Sequence, residues 1–490
     1  MQKKISAAVK TVFLFLFLIA VCCSLNYLLS ALNIFNFVKT AYAGTHSNQH
    51  YSDIILKTSE IGKIPYITKN GIARGGIIKI TLSQAIKRAL SNQGNILEAE
   101  HIISEKTDLK KAADASLLPD IAVNAGGIWS RTKNGYPVFA SANGMRELIS
   151  QISLSVPIFN PKIYGEISLA GDNLKVAEYR LRLARLFTAA RITQYFYGLI
   201  LLKDEIKIER KALGGAKKIL TAAKIGYKAG SLSRFDVVQT ELMADGIQTN
   251  LKILKSKVKS FERMFLMEIF YGSVKPEKLY LNTAAPHPAG FQYRMPPLNN
   301  LISKAIKKQP LIKIADAEIK SAQSSVSISN SGRLPDIQGG AAYGEDTVNS
   351  FAAPNLGWQF FVMLNIPIYN FGLHKGYIDA ANERLMALKS AAAAVKLSVK
   401  KRLTIDYGRA SASKKKIYGA KILAKKSGEV FKMAKEAYLA GAFNTLELQE
   451  AQNNWIKSRI ELAKAVNAFY LAISQLDIDM GIIPSGEGKL

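Results

Sequence analysis

The second half of this 490-residue chain repeats the first, and a duplicated plan restricts the possible folds more than any single motif does. Leu82, Ile86, Ala89, Ala99 and Leu118-Pro119-Asp120-Ile121 recur 216 residues later as Leu298, Ile302, Ala305, Ala315 and Leu334-Pro335-Asp336-Ile337. Pro157-Ile158-Phe159-Asn160 matches Pro367-Ile368-Tyr369-Asn370 at an offset of 210, and Tyr227-Lys228-Ala229-Gly230 matches Tyr438-Leu439-Ala440-Gly441 at 211. The anchors keep one order, so the chain divides into copies at 81–272 and 298–480, with a proline-rich linker at 273–297 and a tail at 481–490.

Each copy reads as helix, strand, strand, long helix, turn, helix. The opening helices, Leu82 to Leu117 and Leu298 to Ser331, stop at Leu-Pro-Asp, where proline lacks a donor and disfavours helix in the residue before it. Beyond the proline the apolar period becomes two. Ile152, Leu154, Val156 and Ile158 alternate with Gln151, Ser153 and Ser155, and Trp358, Phe360, Val362, Leu364 and Ile366 repeat the pattern. This predicts half-exposed strands at 120–131 and 148–159, and at 336–346 and 358–369. Strands of about ten residues cross a bilayer when tilted, but four are too few to close a barrel, which takes about eight.

No proline falls between Lys162 and Ala229 or between Gly372 and Ala440, so each stretch suits one helix on the order of 100 Å long. Shorter helices follow at 234–272 and 445–479. Tyr377, Ala381, Leu385, Leu388, Ala392, Val395 and Val399 step by four and three, as do Ala451, Trp455, Ser458, Leu462, Ala465, Phe469 and Ala472, which is coiled-coil spacing. Gly230 and Gly441 stand where a helix exit needs a left-handed residue before the chain turns back.

The first 43 residues carry Lys3, Lys4 and Lys10, an apolar run from Thr11 to Val38, and Ala41-Tyr42-Ala43, the order of a secretory signal with a small-x-small cleavage site. The run is also long enough for an uncleaved anchor. Residues 44–80 read as an irregular segment. Cys22 and Cys23 lie inside the signal, so disulfide chemistry is not expected after it. The net charge of +29 is spread along the whole chain without a compact basic block, which favours solvated helix faces over nucleic-acid binding. His46, His50, His101, His287 and His374 form no recognised metal spacing, and no nucleophile elbow or phosphate loop is present, so neither catalysis nor a cofactor is expected.

On the tip segments Tyr227-x-x-Gly230 with Phe235-Asp236-Val237-Val238-Gln239 and Tyr438-x-x-Gly441 with Leu446-Glu447-Leu448-Gln449-Glu450, together with the Leu-Pro-Asp and Pro-Ile-(Phe/Tyr)-Asn strand borders, the chain resembles the TolC family of outer-membrane efflux proteins. The resemblance implies a homotrimer in the outer membrane of a Gram-negative-type bacterium, with twelve strands in one barrel continued by a periplasmic helical tunnel. It also implies docking on a periplasmic adaptor and an inner-membrane pump of resistance-nodulation-division or ABC type. By the same motif match, Glu447 and Glu450 fall where acids ring the tunnel entrance, and Tyr438 and Asp236 where a pair holds the tips closed. Phe443 stands where well-known members carry a bridging arginine, which points to a different latch. Asn444 three residues before Glu447, and Ser233 three before Asp236, have the spacing of helix caps, so a structural role for these acids competes with the gate. The expected activity is a passive exit duct for efflux; type I protein secretion through the same duct, or a periplasmic coiled-coil scaffold, are the alternatives.

Overall fold

The computed structural model describes residues 77–129, 146–270, 279–281, 295–347 and 355–484, with two-residue strands at 72–73, 132–133 and 136–137. The expected signal at 1–43 lies outside the described residues, as do most of 44–80, most of the linker and the tail from 485. The first copy contains β1 (Ile77–Ile80), α1 (Leu82–Asn92), α2 (Gly94–Ala115), β2 (Asp120–Trp129), β3 (Arg146–Phe159), α3 (Pro161–Lys228) and α4 (Arg234–Phe270). Then follow β4 (Leu279–Leu281), α5 (Leu298–Lys308), α6 (Pro310–Ser331), β5 (Asp336–Thr347), β6 (Asn355–Asn365), α7 (Leu373–Leu439) and α8 (Thr445–Asp479).

Each opening helix is expected as one piece and is found in two. α1 begins with Thr81 and Gln84 in a reciprocal capping box and buries Leu82, Ala85, Ile86 and Ala89 on one stripe. It ends at Gln93, whose backbone is extended, and α5 ends in the same way at Gln309, which precedes Pro310. Both glutamines hold a tertiary joint. The Gln93 amide donates to the backbone and carboxylate oxygens of Glu268 at 2.6 Å each, while Arg191 donates to the Gln93 oxygen at 2.6 Å and pairs with Glu268 at 3.2 Å. The Gln309 amide donates to the carbonyls of Ile478 and Asp479 at 3.1 and 2.9 Å. The break at Gln309 is favoured locally by Pro310, and both breaks coincide with long-range bonds that local spacing does not reveal.

The four long strands form one antiparallel sheet in the order β2-β3-β5-β6, so the two copies meet at β3 and β5. β3 continues through Pro157 to Phe159 with a register shift, whereas β6 stops at Asn365 and leaves Ile366 to Asn370 without regular structure, short of the expected end at 369. Glycine is required in β5. A side chain at Gly340 would strike the Leu154 carbonyl and the Phe361 ring. On β6, Trp358, Phe360, Val362 and Leu364 are exposed on one face and Phe361 and Met363 on the other, so the strand is exposed on both faces and not on one as expected. β2 and β6 are outer strands with no further partner among the described residues. A short parallel pair, β1 with β4, also ties part of the expected linker to the start of the first copy.

α3 has 68 residues and α7 has 67, each about 100 Å at 1.5 Å per residue. Asn160 caps α3 through bonds to the amides of Lys162 and Ile163, with Pro161 at the first helical position. α3 packs on α4 and α7 on α8, while α6 lies against both long helices and α8 crosses to α3. One apolar core gathers Ile86, Phe196, Phe265, Ile312, Leu403 and Phe469, with Tyr197 stacked on Tyr470 at 5.6 Å. A second core, of Ala216, Ile219, Ala244, Ala434, Leu448 and Trp455, lies where α3, α4, α7 and α8 approach their turns. The α8 seam is buried at Ala451, Trp455, Ser458, Ala465 and Phe469, and the α7 seam at Ala392 and Val399. Tyr377, read as part of that seam, is exposed, and Ile378 is buried in its place.

Candidate functional site at the helical tips

The two helix–turn–helix tips are built alike. In the first, the Ala229 amide reaches the Ile225 carbonyl, and Gly230 turns the chain at φ 77°. The Ser231 amide then closes on the Gly226 carbonyl at 2.9 Å, a Schellman exit. In the second, Gly441 takes φ 75° and the Ala442 amide closes on the Ala437 carbonyl at 2.9 Å. Neither glycine has anything within 4 Å of where a Cβ would sit, so the constraint is backbone conformation and not space. Phe443, just beyond the second turn, leaves 43% of its surface exposed.

Both following helices start in a reciprocal cap. Asn444 accepts from the Glu447 amide at 2.9 Å, and the Glu447 carboxylate accepts from the Asn444 amide at 2.9 Å. Ser233 accepts from the Asp236 amide at 3.2 Å, while Asp236 Oδ2 accepts from the Ser233 amide at 3.1 Å and hydroxyl at 2.6 Å. The acids at these two positions are thus both engaged in holding a helix start. Glu450 is exposed and makes no ion pair or side-chain hydrogen bond among the described residues.

Asp236 also spans the two hairpins. Its Oδ1 accepts the hydroxyl of Thr445 at 2.7 Å, and nearby the Gln239 amide donates to Gln449 Oε1 at 3.3 Å. The hydroxyl bonds of Ser233 and then Thr445 hold the Asp236 carboxyl below the usual aspartate range, because both favour its charged form. Tyr438, expected to pair with Asp236, makes no direct hydrogen bond to it, although Asp236 and Thr445 lie near its hydroxyl. It is 5% exposed within the second core and its hydroxyl has no hydrogen-bond partner of ordinary geometry. Burial pushes that hydroxyl up; the nearby Thr445 hydroxyl pulls it down and the Asp236 charge adds to the rise. The residue that closes the bridge is Thr445, which is 2% exposed. Sequence reading passes over it because the bond joins residues 209 apart; its one local signal is its place beside a capping asparagine.

No helix among the described residues is long and apolar enough to cross a membrane, and no group of three metal-ligating side chains is found among them.

The arrangement of paired copies is also found in known proteins. The chain is 20% identical over 334 residues to the cobalt-zinc-cadmium resistance protein CzcC of Cupriavidus metallidurans, across 68% of this chain and 77% of that one. It is 23% identical over 311 residues to the toluene efflux pump outer membrane protein TtgC of Pseudomonas putida, across 61% of each. The solved structure of the outer membrane protein VceC from Vibrio cholerae shares the fold with a TM-score of 0.69 at 15% identity, over 82% of this chain and 97% of that one. A family model, that of the outer membrane efflux proteins, matches residues 85–260 and 301–478, one stretch in each copy. The chain belongs to the outer membrane efflux protein family.

Proposed function

We infer that three copies of this chain pool their four-stranded sheets into one twelve-stranded barrel in the outer membrane, and that α3, α4, α7 and α8 continue it as a periplasmic tunnel. The observation that carries this reading is the sheet itself: β2 and β6 are outer strands of ten and eleven residues with unspent backbone donors and acceptors. Open edges do not persist in hydrocarbon, where every backbone group needs a partner, and joining β6 of one copy to β2 of the next removes all of them. The exposed apolar row on β6 supplies a face for lipid.

As an exit duct the protein performs no chemistry. Transport energy comes from an inner-membrane pump that reaches the tips through an adaptor protein. The Thr445–Asp236 bridge holds the two hairpins of one protomer together at the entrance, and Glu450 and Phe443 are the exposed side chains placed to form an acidic ring and an apolar collar around it. The relatives CzcC and TtgC are named for metal resistance and for toluene efflux, which supports ions or small organic solutes as the cargo class of this duct. Type I protein secretion uses the same architecture. A freestanding coiled-coil scaffold gives the edge strands no role.

The decisive experiment places one cysteine on β2 and one on β6 at facing edge positions and oxidises the protein in outer membranes. A covalent trimer ladder is expected; a species that stays a single chain under those conditions removes the pooled barrel.

A further inference from the structure

The two glutamine joints are copies of one another, and they differ in a way that bears on protons. Arg191 and Glu268 of the first joint recur 211 residues later as Arg402 and Asp479 of the second, beside matching buried residues Ile192 and Leu403. In the first copy the charges cancel, since Gln93, Glu268 and Arg191 bond one another directly. In the second copy the residue corresponding to Tyr195 is Asp406, a carboxyl that faces Asp479. Both aspartates are buried, at 4% and 2% exposure.

The hydrogen bonding around them is incomplete in one direction only. Asp479 Oδ1 accepts from the Gln475 amide at 3.1 Å and Asp406 Oδ1 from Arg409 at 2.8 Å. Asp479 Oδ2, Asp477 Oδ1 and Gln309 Oε1 receive no donor from the described chain, and all three are acceptors. A proton on one of two facing carboxyls turns it into a donor and removes the repulsion between them. We propose that Asp479, buried against the carboxylate of Asp406, takes up a proton and makes the joint between the end of α8, α7 and the α5–α6 bend a proton-sensitive clasp, tight in acid and loosened as pH rises.

The groups around the clasp pull both ways, and burial, the largest influence on both Asp479 and Asp477, sets the direction. On α7, Arg402 favours the charged form of Asp479, but it is exposed; Arg409 is committed to Asp406. On α8, burial first and Asp406 second push Asp479 up to about 7. Burial likewise lifts Asp477 to about 7, against the attraction of Lys304 on α5. Tyr197 on α3 and Tyr470 on α8 are pushed up to about 12, chiefly by burial, and stay neutral throughout. Because the folded values exceed the ordinary aspartate value of 3.8, the folded state holds protons that the unfolded state has released. Stability from this joint is complete below that ordinary value, falls as pH rises towards about 7, and is gone above it.

The test compares the full-length protein with Asp406→Asn and with Asp406→Tyr, the residue that the first copy carries. Thermal unfolding of the detergent-solubilised protein is followed from about pH 5 to about pH 8. The unmodified protein is expected to lose several degrees of Tm over that range and both variants to lose clearly less, so that their curves converge on or cross the parent's at high pH. A variant Tm displaced by one constant amount at every pH would show Asp406 to be packing alone and would overturn the clasp. Asp406→Tyr settles the matter where Asp406→Asn does not fold, since tyrosine is already accommodated at the sister joint.

Discussion

At the scale of single residues, the tip acids divide by what already occupies them. Glu447 and Asp236 share the cap position of their helices, and only Asp236 reaches across to the other hairpin. Thr445→Val removes that bridge while leaving the Asp236 cap in place. With a hydrogen bond to a partly exposed charge contributing about 1 kcal/mol net, single channels in a planar bilayer are expected to open roughly five-fold more often. Asp236 is held below its ordinary range, so the bridge is present above that range and is lost as pH falls through the lowered value. Opening should therefore rise in strong acid for the parent and be insensitive to acid in Thr445→Val. Glu450→Ala should weaken cation preference and block by divalent ions, whereas Glu447→Ala should chiefly destabilise the start of α8 by about 0.5–2 kcal/mol. If neither replacement alters ion preference, the acidic ring is not at this position. Capping roles were legible in the sequence from the three-residue spacing. The Thr445 bridge was not, because its two ends are brought together only by the packing of separate hairpins.

At the scale of elements, the long helices follow from the absence of proline and the spacing of small apolar residues, and the turns from two glycines. Gly441→Ala forces an L-residue to φ 75° in open space, which costs roughly 1–2 kcal/mol of backbone strain without any clash. Its unfolding midpoint should fall while the fold measured by circular dichroism stays the same. Trp455 packs on Phe431 at 5.4 Å inside the second core; Trp455→Ala should cost about 3–5 kcal/mol and make the tips the first region to exchange amide hydrogens. Proline and glycine could be read directly, since they act through their own φ or missing donor. The breaks at Gln93 and Gln309 escaped such reading. Gln309 is extended before Pro310, which disfavours helix there, and each glutamine side chain is also drawn to the end of a helix about 170 residues away.

At the scale of the whole molecule, the sheet organises the rest. Its order puts the end of the first copy's strand pair against the start of the second's, so one polypeptide holds a continuous four-stranded sheet with two open edges among the described residues. A bulky residue at Gly340 should prevent β5 from lying between β3 and β6. Gly340→Val is thus expected to abolish heat-modifiable trimers on gels of outer-membrane extracts, while the helical signal of the chain persists. Trimers formed at parental levels would show that the strand spacing tolerates a side chain.

The order of residues alone determined that this chain is a duplicated helix–strand–strand–helix plan with period-two strands and helices of unusual length. Such features are local, encoded in proline, glycine and apolar spacing, and each copy states them independently. Only the tertiary structure decided which carboxylates bridge separate hairpins and which are buried against one another. The effect of a carboxyl depends on what faces it: Thr445 faces Asp236 from 209 residues away, and Asp406 faces Asp479 from another helix.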